Sequence, residues 1–343
     1  MKKVLAILIA SLTILTQTSF AFEASEFESI TPSPVDIVEA IDEKYNYPVL
    51  PGTDEWIAVG DTRTRHDACE IPVEILNKLT TKALLLTALD YPFNTDISAF
   101  EDAQSGFDYI VKHSNAWSAL ICREDIEETI FSLLDSDDFD NEQTTYIELL
   151  LKHSAVYPLL SDEAKSFLTN NETLSLYNPR DGAYLVSETV RSKTIYTPKE
   201  NRPVKMSTSR YEWLASTVKQ LDEDYIDDYP SAYYIGPSTM RYNCFSYAFY
   251  LQSTTNQYIL SNPVSNFWED GSYVQVSSPK TGDIALYWDD DLDAYRHAGI
   301  VTATKPEVWV CSKWGNTPLM EHPVMECPYS YMTVHYYRLY TEL

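Results

Sequence analysis

Apolar and polar positions follow a helical period in the first half of the chain. After Pro72, Val73, Leu76 and Leu79 recur at helical spacing, and past the capping candidates Thr80 and Thr81 a run from Lys82 to Asp90 continues the pattern until Pro92 stops it. Further helices are predicted by Phe100, Ala103, Phe107, Ile110 and Val111, by Ile126, Ile130, Leu133 and Leu134, and by Tyr146, Leu149, Leu150 and His153. Together these predict an α-helical domain over 67–183. Between Tyr184 and Val204 the period changes to alternation, with Lys199, Glu200 and Asn201 as a turn signal, which predicts a β-type connector over 184–203. A helix over 209–221 is expected to open the remaining region, 204–343, whose dense Tyr and Trp and regular turn punctuation read as strands. The expected fold class is α+β.

The chain before these elements carries a different signal. Lys2 and Lys3 precede an uncharged apolar run from Val4 to Leu15, and Ser19 and Ala21 form a small-residue cleavage site, so 1–21 reads as a secretory signal peptide. No later stretch offers eighteen uncharged apolar residues, and no cysteine near the cleavage site could carry a lipid. The expected location is therefore extracytoplasmic, secreted or in the cell envelope, with no stable membrane span after signal removal. The segment 22–66 bears Pro and acids without a sustained apolar period and reads as an extended lead-in.

Charge narrows the partners. The formal charge of −26 becomes −28 once Lys2 and Lys3 leave, with −20 over 22–203 and −8 over 204–343. Such an excess repels phosphate backbones and argues against nucleic acid. The acidic stretch Asp135 to Glu142 lacks the glycine and ligand spacing of a calcium loop, so no metal is assigned. Five cysteines in an exported chain leave at least one thiol unpaired. Pairing Cys69 with Cys122 and Cys311 with Cys327 would free Cys244, while a reducing source would leave all five as thiols.

Cys244 follows the turn residues Gly236, Pro237 and Ser238 and begins a run with Phe245, Ala248, Phe249 and Leu251 at helical spacing, which places it at a helix N-terminus. There, unpaired N–H groups and the positive helix end favour thiolate and can hold an oxyanion. Downstream, Gly282 to Trp288 reads as a strand, Asp289 to Asp293 as an acidic tip, and His297-Ala298-Gly299-Ile300-Val301 as the return strand. A histidine on that hairpin is placed to act as general base toward Cys244. A third strand, Val308 to Cys311, leads into Ser312, which could accept from the far nitrogen of His297 and fix its tautomer. Asn243 and Tyr242 are candidate helpers for the oxyanion, and His322 a candidate cleft residue.

These residues resemble the papain-like cell-wall cysteine hydrolases, the CHAP and NlpC-type amidase and peptidase domains, over about 230–340. The shared features are the Cys-x-x-Tyr-Ala run at Cys244 to Ala248, the Gly-Asp-Ile strand at Gly282 to Ile284 and the His-Ala-Gly-Ile-Val strand at His297 to Val301. Ser312-Lys313-Trp314-Gly315 also looks like the Asn-Ser-Trp-Gly turn of papain-type proteases, which puts Trp314 beside the substrate. The chain departs from the NlpC pattern in having Asn243-Cys244-Phe245 where Asp-Cys-Ser is usual. The resemblance implies a papain-like core over 204–343, a Cys244 nucleophile, a His297 base, no cofactor, and peptidoglycan or peptide amides as substrate. Two other readings of the same residues remain: a non-catalytic module using Trp268, Tyr273, Trp288 and Trp314 as aromatic platforms, and an interaction protein built on the helical domain. An acyl transfer to an amine in place of water would use the same first step.

Overall fold

The computed structural model describes residues 39–134, 139–170, 182–261 and 263–343. The signal segment, the lead-in up to residue 38 and the acidic residues 135–138 lie outside them.

Nine helices occupy the described N-terminal half: α1 (Asp54–Val59), α2 (Thr62–Ala68), α3 (Val73–Leu76), α4 (Thr81–Leu89), α5 (Ala103–His113), α6 (Asn115–Leu120), α7 (Ile126–Leu134), α8 (Asn141–Lys152) and α9 (Asp162–Asn170), with a 3₁₀ segment at Asn94–Ala99. The helices expected from periodicity are there. The lead-in is not extended throughout, because Thr53 and Asp61 cap α1 and α2 by accepting from Trp56 N and Thr64 N. Side-chain caps start helices too short to show an apolar period. Trp56, Arg65 and His66 on these two helices are buried.

Past the described helices come β1 (Ala183–Leu185), β2 (Ser192–Tyr196), β3 (Pro203–Ser207), β4 (Tyr211–Trp213), α10 (Ala215–Asp228), β5 (Tyr233–Gly236), α11 (Cys244–Phe249), β6 (Ile259–Leu260), α12 (Asn266–Glu269), β7 (Tyr273–Val276), β8 (Ile284–Asp289), β9 (Ala294–Ala303), β10 (Trp309–Lys313), β11 (Leu319–Pro323) and β12 (Thr333–Leu339). Residues 209–214, expected as the first turns of a helix, instead include β4, which pairs with β1, and the helix starts only at Ala215. Glu212 anchors that departure, receiving Arg241 Nε at 2.6 Å and the N–H of Met240.

The chain is thus a helical region followed by a mixed α+β region with antiparallel sheets. The main sheet has seven strands in the order β5-β11-β10-β9-β8-β12-β7, all antiparallel. Alternation sends Ile284, Leu286, Ala298, Ile300 and Cys311 to one face, where Tyr247 and Ala248 of α11 cover them. Ala285, Tyr287, Val301 and Val310 go to the other, into one core with Phe93, Phe107 and Trp117 of the helical region. The change of pattern over 184–203 therefore does not divide two cores, and Ala40–Leu343 packs as one compact unit.

Polar groups are sealed in this junction. Asp96 is fully buried, receives Tyr229 Oη at 2.6 Å, and its other oxygen has no partner. Burial pushes its carboxyl up to about 8. Asp228, beside it, is likewise pushed up by burial and receives Thr95 Oγ1 at 2.5 Å.

Two outcomes follow from the shared core. A fragment starting at Val204 should lack cooperative thermal unfolding and bind a hydrophobic dye, since Tyr225, Tyr229, Trp314 and Tyr329 lose their cover; a sharp transition matching the full chain would refute this. Asp96 should remain protonated in the fold while it ionises near pH 4 when unfolded. The stability this supplies is complete below that value and is lost as pH rises toward 8. The melting temperature of Asp96→Asn relative to the parent should therefore climb between pH 4 and 8 and level off above; a pH-independent difference would contradict the buried acid.

Candidate active site

Asn243 caps α11: its Oδ1 accepts from Ser246 N at 3.0 Å and from Leu260 N at 3.1 Å, and its Nδ2 donates to Leu260 O at 3.0 Å. The first bond caps α11 and the other two fix its start against β6, so the side chain is not free to hold an oxyanion as expected from its place before the cysteine. Tyr242 is buried, with its ring 5.5 Å from Lys313 Nζ and stacked near Tyr247.

Cys244 is the first residue of α11, as expected, and is only 6 % exposed. Burial pushes its thiol up to about 12, an effect that the backbone N–H groups of Ala298 and Phe245 near the sulfur offset only in part. The place where α11 meets the sheet follows from the ladder. Pairing of β9 with β10 runs from Ala303–Trp309 only as far as Ile300–Cys311. The Cys244 helix α11 packs on β9 and β10, and Ala298, just past the end of this pairing, lies near the cysteine. Gly299 is required beside the opening, since a Cβ there would lie 2.3 Å from Val310 Cγ1 and 2.9 Å from Ser312 Cβ.

His297 sits next to Ala298 and so points to the opposite face of β9. Its ring is fully buried, stacked on Tyr329 at 3.8 Å and edge-on to Tyr287 at 5.0 Å. Both ring nitrogens lack a hydrogen-bond partner, and none joins His297 to Cys244. Burial holds the imidazole well below its ordinary value, with neighbouring His322 adding to the effect. The nucleophile and base candidates therefore do not form a hydrogen-bonded pair.

Ser312 does not orient His297. His322 Nδ1 lies 2.8 Å from Pro323 O, an atom that can only accept, so Nδ1 carries the proton and Nε2 accepts from Ser312 Oγ at 2.9 Å. Trp314 Nε1 donates to Ser312 Oγ at 3.0 Å. Val310 and Ser312 pair across the ladder with His322 and Met320, so Ser312 and His322 share a face and meet each other first. Trp314 is fully buried and belongs to this Trp–Ser–His chain and the core, which removes it as a substrate contact. Burial lowers His322 to about 4. Trp268, Tyr273 and Trp288 are half-buried and packed on Phe249, Phe267 and Tyr295, leaving no open aromatic platform among these four residues.

The helical region closes over the site. Tyr329 Oη donates to Ala99 O, and a Cβ on Gly315, whose φ is 53°, would stand 2.5 Å from that same oxygen. Glu101, next along, is a carboxylate whose charge also raises Cys244. Sequence reading missed one member of the site: Lys313, fully buried, whose Nζ donates to Gly315 O at 2.9 Å and to Thr317 O. Its only signal was a lysine within an otherwise apolar strand end.

The five cysteines are all free, so neither Cys69–Cys122 nor Cys311–Cys327 is joined. Cys311 instead bonds Tyr247 Oη at 3.3 Å and Cys327 donates to Val324 O. Among the described residues no cluster of three or more His, Cys, Asp or Glu could hold a metal, and no helix is long and apolar enough to cross a membrane. No protein-family model, curated protein or solved structure matches the chain.

Ser312→Ala should cost about 1–3 kcal/mol in urea unfolding by leaving buried polar groups short of a partner. It should leave the alkylation rate of Cys244 unchanged. A rate change as large as that of His297→Ala would put Ser312 back on His297.

Proposed function

We propose that the protein is an exported cysteine amidohydrolase or peptidase on a papain-like core, with Cys244 as nucleophile and His297 as proton carrier, acting on peptide or amide bonds of peptidoglycan. The observation that carries this is the pair of unpartnered nitrogens on His297, next in the chain to Ala298, whose backbone N–H lies near the Cys244 sulfur. Leaving a buried imidazole unpaired costs about 1–3 kcal/mol, and no packing need explains it where Phe or Leu would fill the same space. In catalysis, His297 takes the thiol proton as Cys244 attacks the amide carbonyl, the N–H groups at the start of α11 receive the oxyanion, and His297 returns that proton to the leaving amine; water or another amine then resolves the thioester. Catalytic hydrogen bonds are often long before substrate binds, so the separated pair is compatible with this sequence of steps. Peptidoglycan as substrate rests on the resemblance of 230–340 alone, and export on the leader 1–21.

The burial of Cys244 favours a second reading, a non-catalytic module that keeps the residues and not the chemistry. Mass spectrometry of peptidoglycan fragments and of peptides incubated with the mature protein separates the two. Cleavage should vanish in Cys244→Ala and fall by about 10²–10⁴ in His297→Ala. Undiminished cleavage by Cys244→Ala would end the cysteine-hydrolase reading, and no cleavage by the parent together with Cys244 alkylation as slow as in the unfolded chain would favour the module.

A further inference from the structure

Charge is distributed unevenly along the chain. Residues 191–210 hold six of its 25 cations, Arg191, Lys193, Lys199, Arg202, Lys205 and Arg210, against a single acid, Glu200. That stretch carries +5 while the rest of the chain carries −31. It contains the β2–β3 hairpin, to which β6 adds a third strand. Register sets the two faces of the hairpin. Val204 and Met206 turn into a small core with Leu260, Val264 and Phe267, and their partners Ile195 and Lys193 share that face. The opposite face presents Ser192, Thr194 and Tyr196 from β2 and Pro203, Lys205 and Ser207 from β3, all of them exposed except the half-buried Ser207.

Two clefts lie end to end along this hairpin. The larger, about 410 Å³, is lined by Ser192, Lys193, Thr194, Lys205, Ser207 and Ser261. The smaller, about 80 Å³, is lined by Arg191, Arg241, Thr208, Ser209 and Tyr211. They adjoin because Arg191 and Thr208, next beyond the Ser192–Ser207 pair, are joined by Thr208 N–H to Arg191 O and Arg191 N–H to Thr208 Oγ1, both at 3.0 Å. Among the described residues no carboxylate lines either cleft. Glu212 is taken up by Arg241 at 2.6 Å, and Glu200 by Arg202 at 2.7 Å. Lys193 Nζ donates to Tyr250 Oη at 3.0 Å, and the Arg210 guanidinium lies 5.7 Å from the Tyr211 ring centre. Arg191 and Lys205 form no ion pair among the described residues.

A row of cations and hydroxyls with no acid facing it fits a ligand that repeats anionic groups along a chain. The −31 elsewhere repels the same ligand and so directs it to this face. Tyr196 narrows the chemistry further. Its ring, 56 % exposed on the face of Lys205, offers a flat apolar surface to the C–H groups of a sugar, which a bare polyanion has no use for. We propose that the β2–β3 hairpin is a docking surface for an acidic polysaccharide, a glycan chain bearing carboxylates. Lys205 and Arg191 take the carboxylates, Ser192, Thr194 and Ser207 the sugar oxygens, and Tyr196 stacks on a ring. The surface is separate from the chemistry assigned to Cys244 and does not rest on it.

The test measures binding of fluorescein-labelled oligogalacturonate to the full mature chain by fluorescence anisotropy at neutral pH and rising salt. The parent should bind, more weakly as salt screens the contact, and should ignore a neutral dextran of equal length. The double variant Arg191→Glu/Lys205→Glu should lose affinity by about tenfold or more. Lys78→Glu/Lys82→Glu makes the same change in net charge at exposed residues of the helical region and should leave affinity within about twofold. Tyr196→Ala should weaken binding without altering its salt dependence. Absence of binding by the parent, or equal losses in the two double variants, would overturn the proposal. Polyphosphate or phosphatidylglycerol vesicles bound as tightly as the oligogalacturonate, with no effect of Tyr196→Ala, would overturn it as well by showing a surface that reads charge alone.

Discussion

Everything around Cys244 depends on the place where β9 and β10 stop pairing. An antiparallel ladder satisfies its backbone groups in pairs and keeps its two faces apart. While β9 and β10 are joined, a helix on one face has no access to side chains on the other. Past Ile300–Cys311 this pairing ends, and α11 packs on β9 and β10 beside Ala298, with His297 on the opposite face of β9. Gly299 and Gly315 keep that region narrow, because side chains there would collide with β10 and with Ala99.

The same geometry explains the unusual electrostatics. A sheet covered on both faces leaves its titratable side chains dry, and dryness drives acids and bases alike toward their neutral forms. His297, His322, Lys313, Cys244, Asp96 and Asp228 are all displaced in that sense. Tyr329 ties this interior to the helical region, stacking on His297 while bonded to Ala99.

Much of this was legible in the residues. Helical spacing of Phe107, Ile110 and Val111 and alternation through Gly282–Val301 are local signals, and they locate α5, β8 and β9. The start of α11 at Cys244 followed from the turn before it and the apolar spacing after it. What alternation also implied, that neighbours His297 and Ala298 face opposite ways, becomes meaningful only when the covering element on each face is known. The partner of Ser312 was illegible for the same reason: His322 is ten residues away and is brought opposite by the β10–β11 register. Helices α1 and α2 are set by single capping side chains and by burial of Trp56, neither of which leaves a period in the sequence. Lys313 was hidden by its type, since lysine is rarely fully buried and reads as surface.

The common core also governs the order in which the molecule can form. Its helical members are synthesised first, but Cys327, Tyr329 and Met332, which complete the same core, lie close to the end of the chain. Contacts separated by more than two hundred residues, such as Tyr329 to Ala99 and Arg63 to Ser330, cannot form until residues 329 and 330 have been made. Long-range closure of this kind makes folding slow and leaves the early helices with exposed apolar faces while they wait. The core therefore stays open until residues 327–332 emerge, and until then the helices before them can be held by a chaperone.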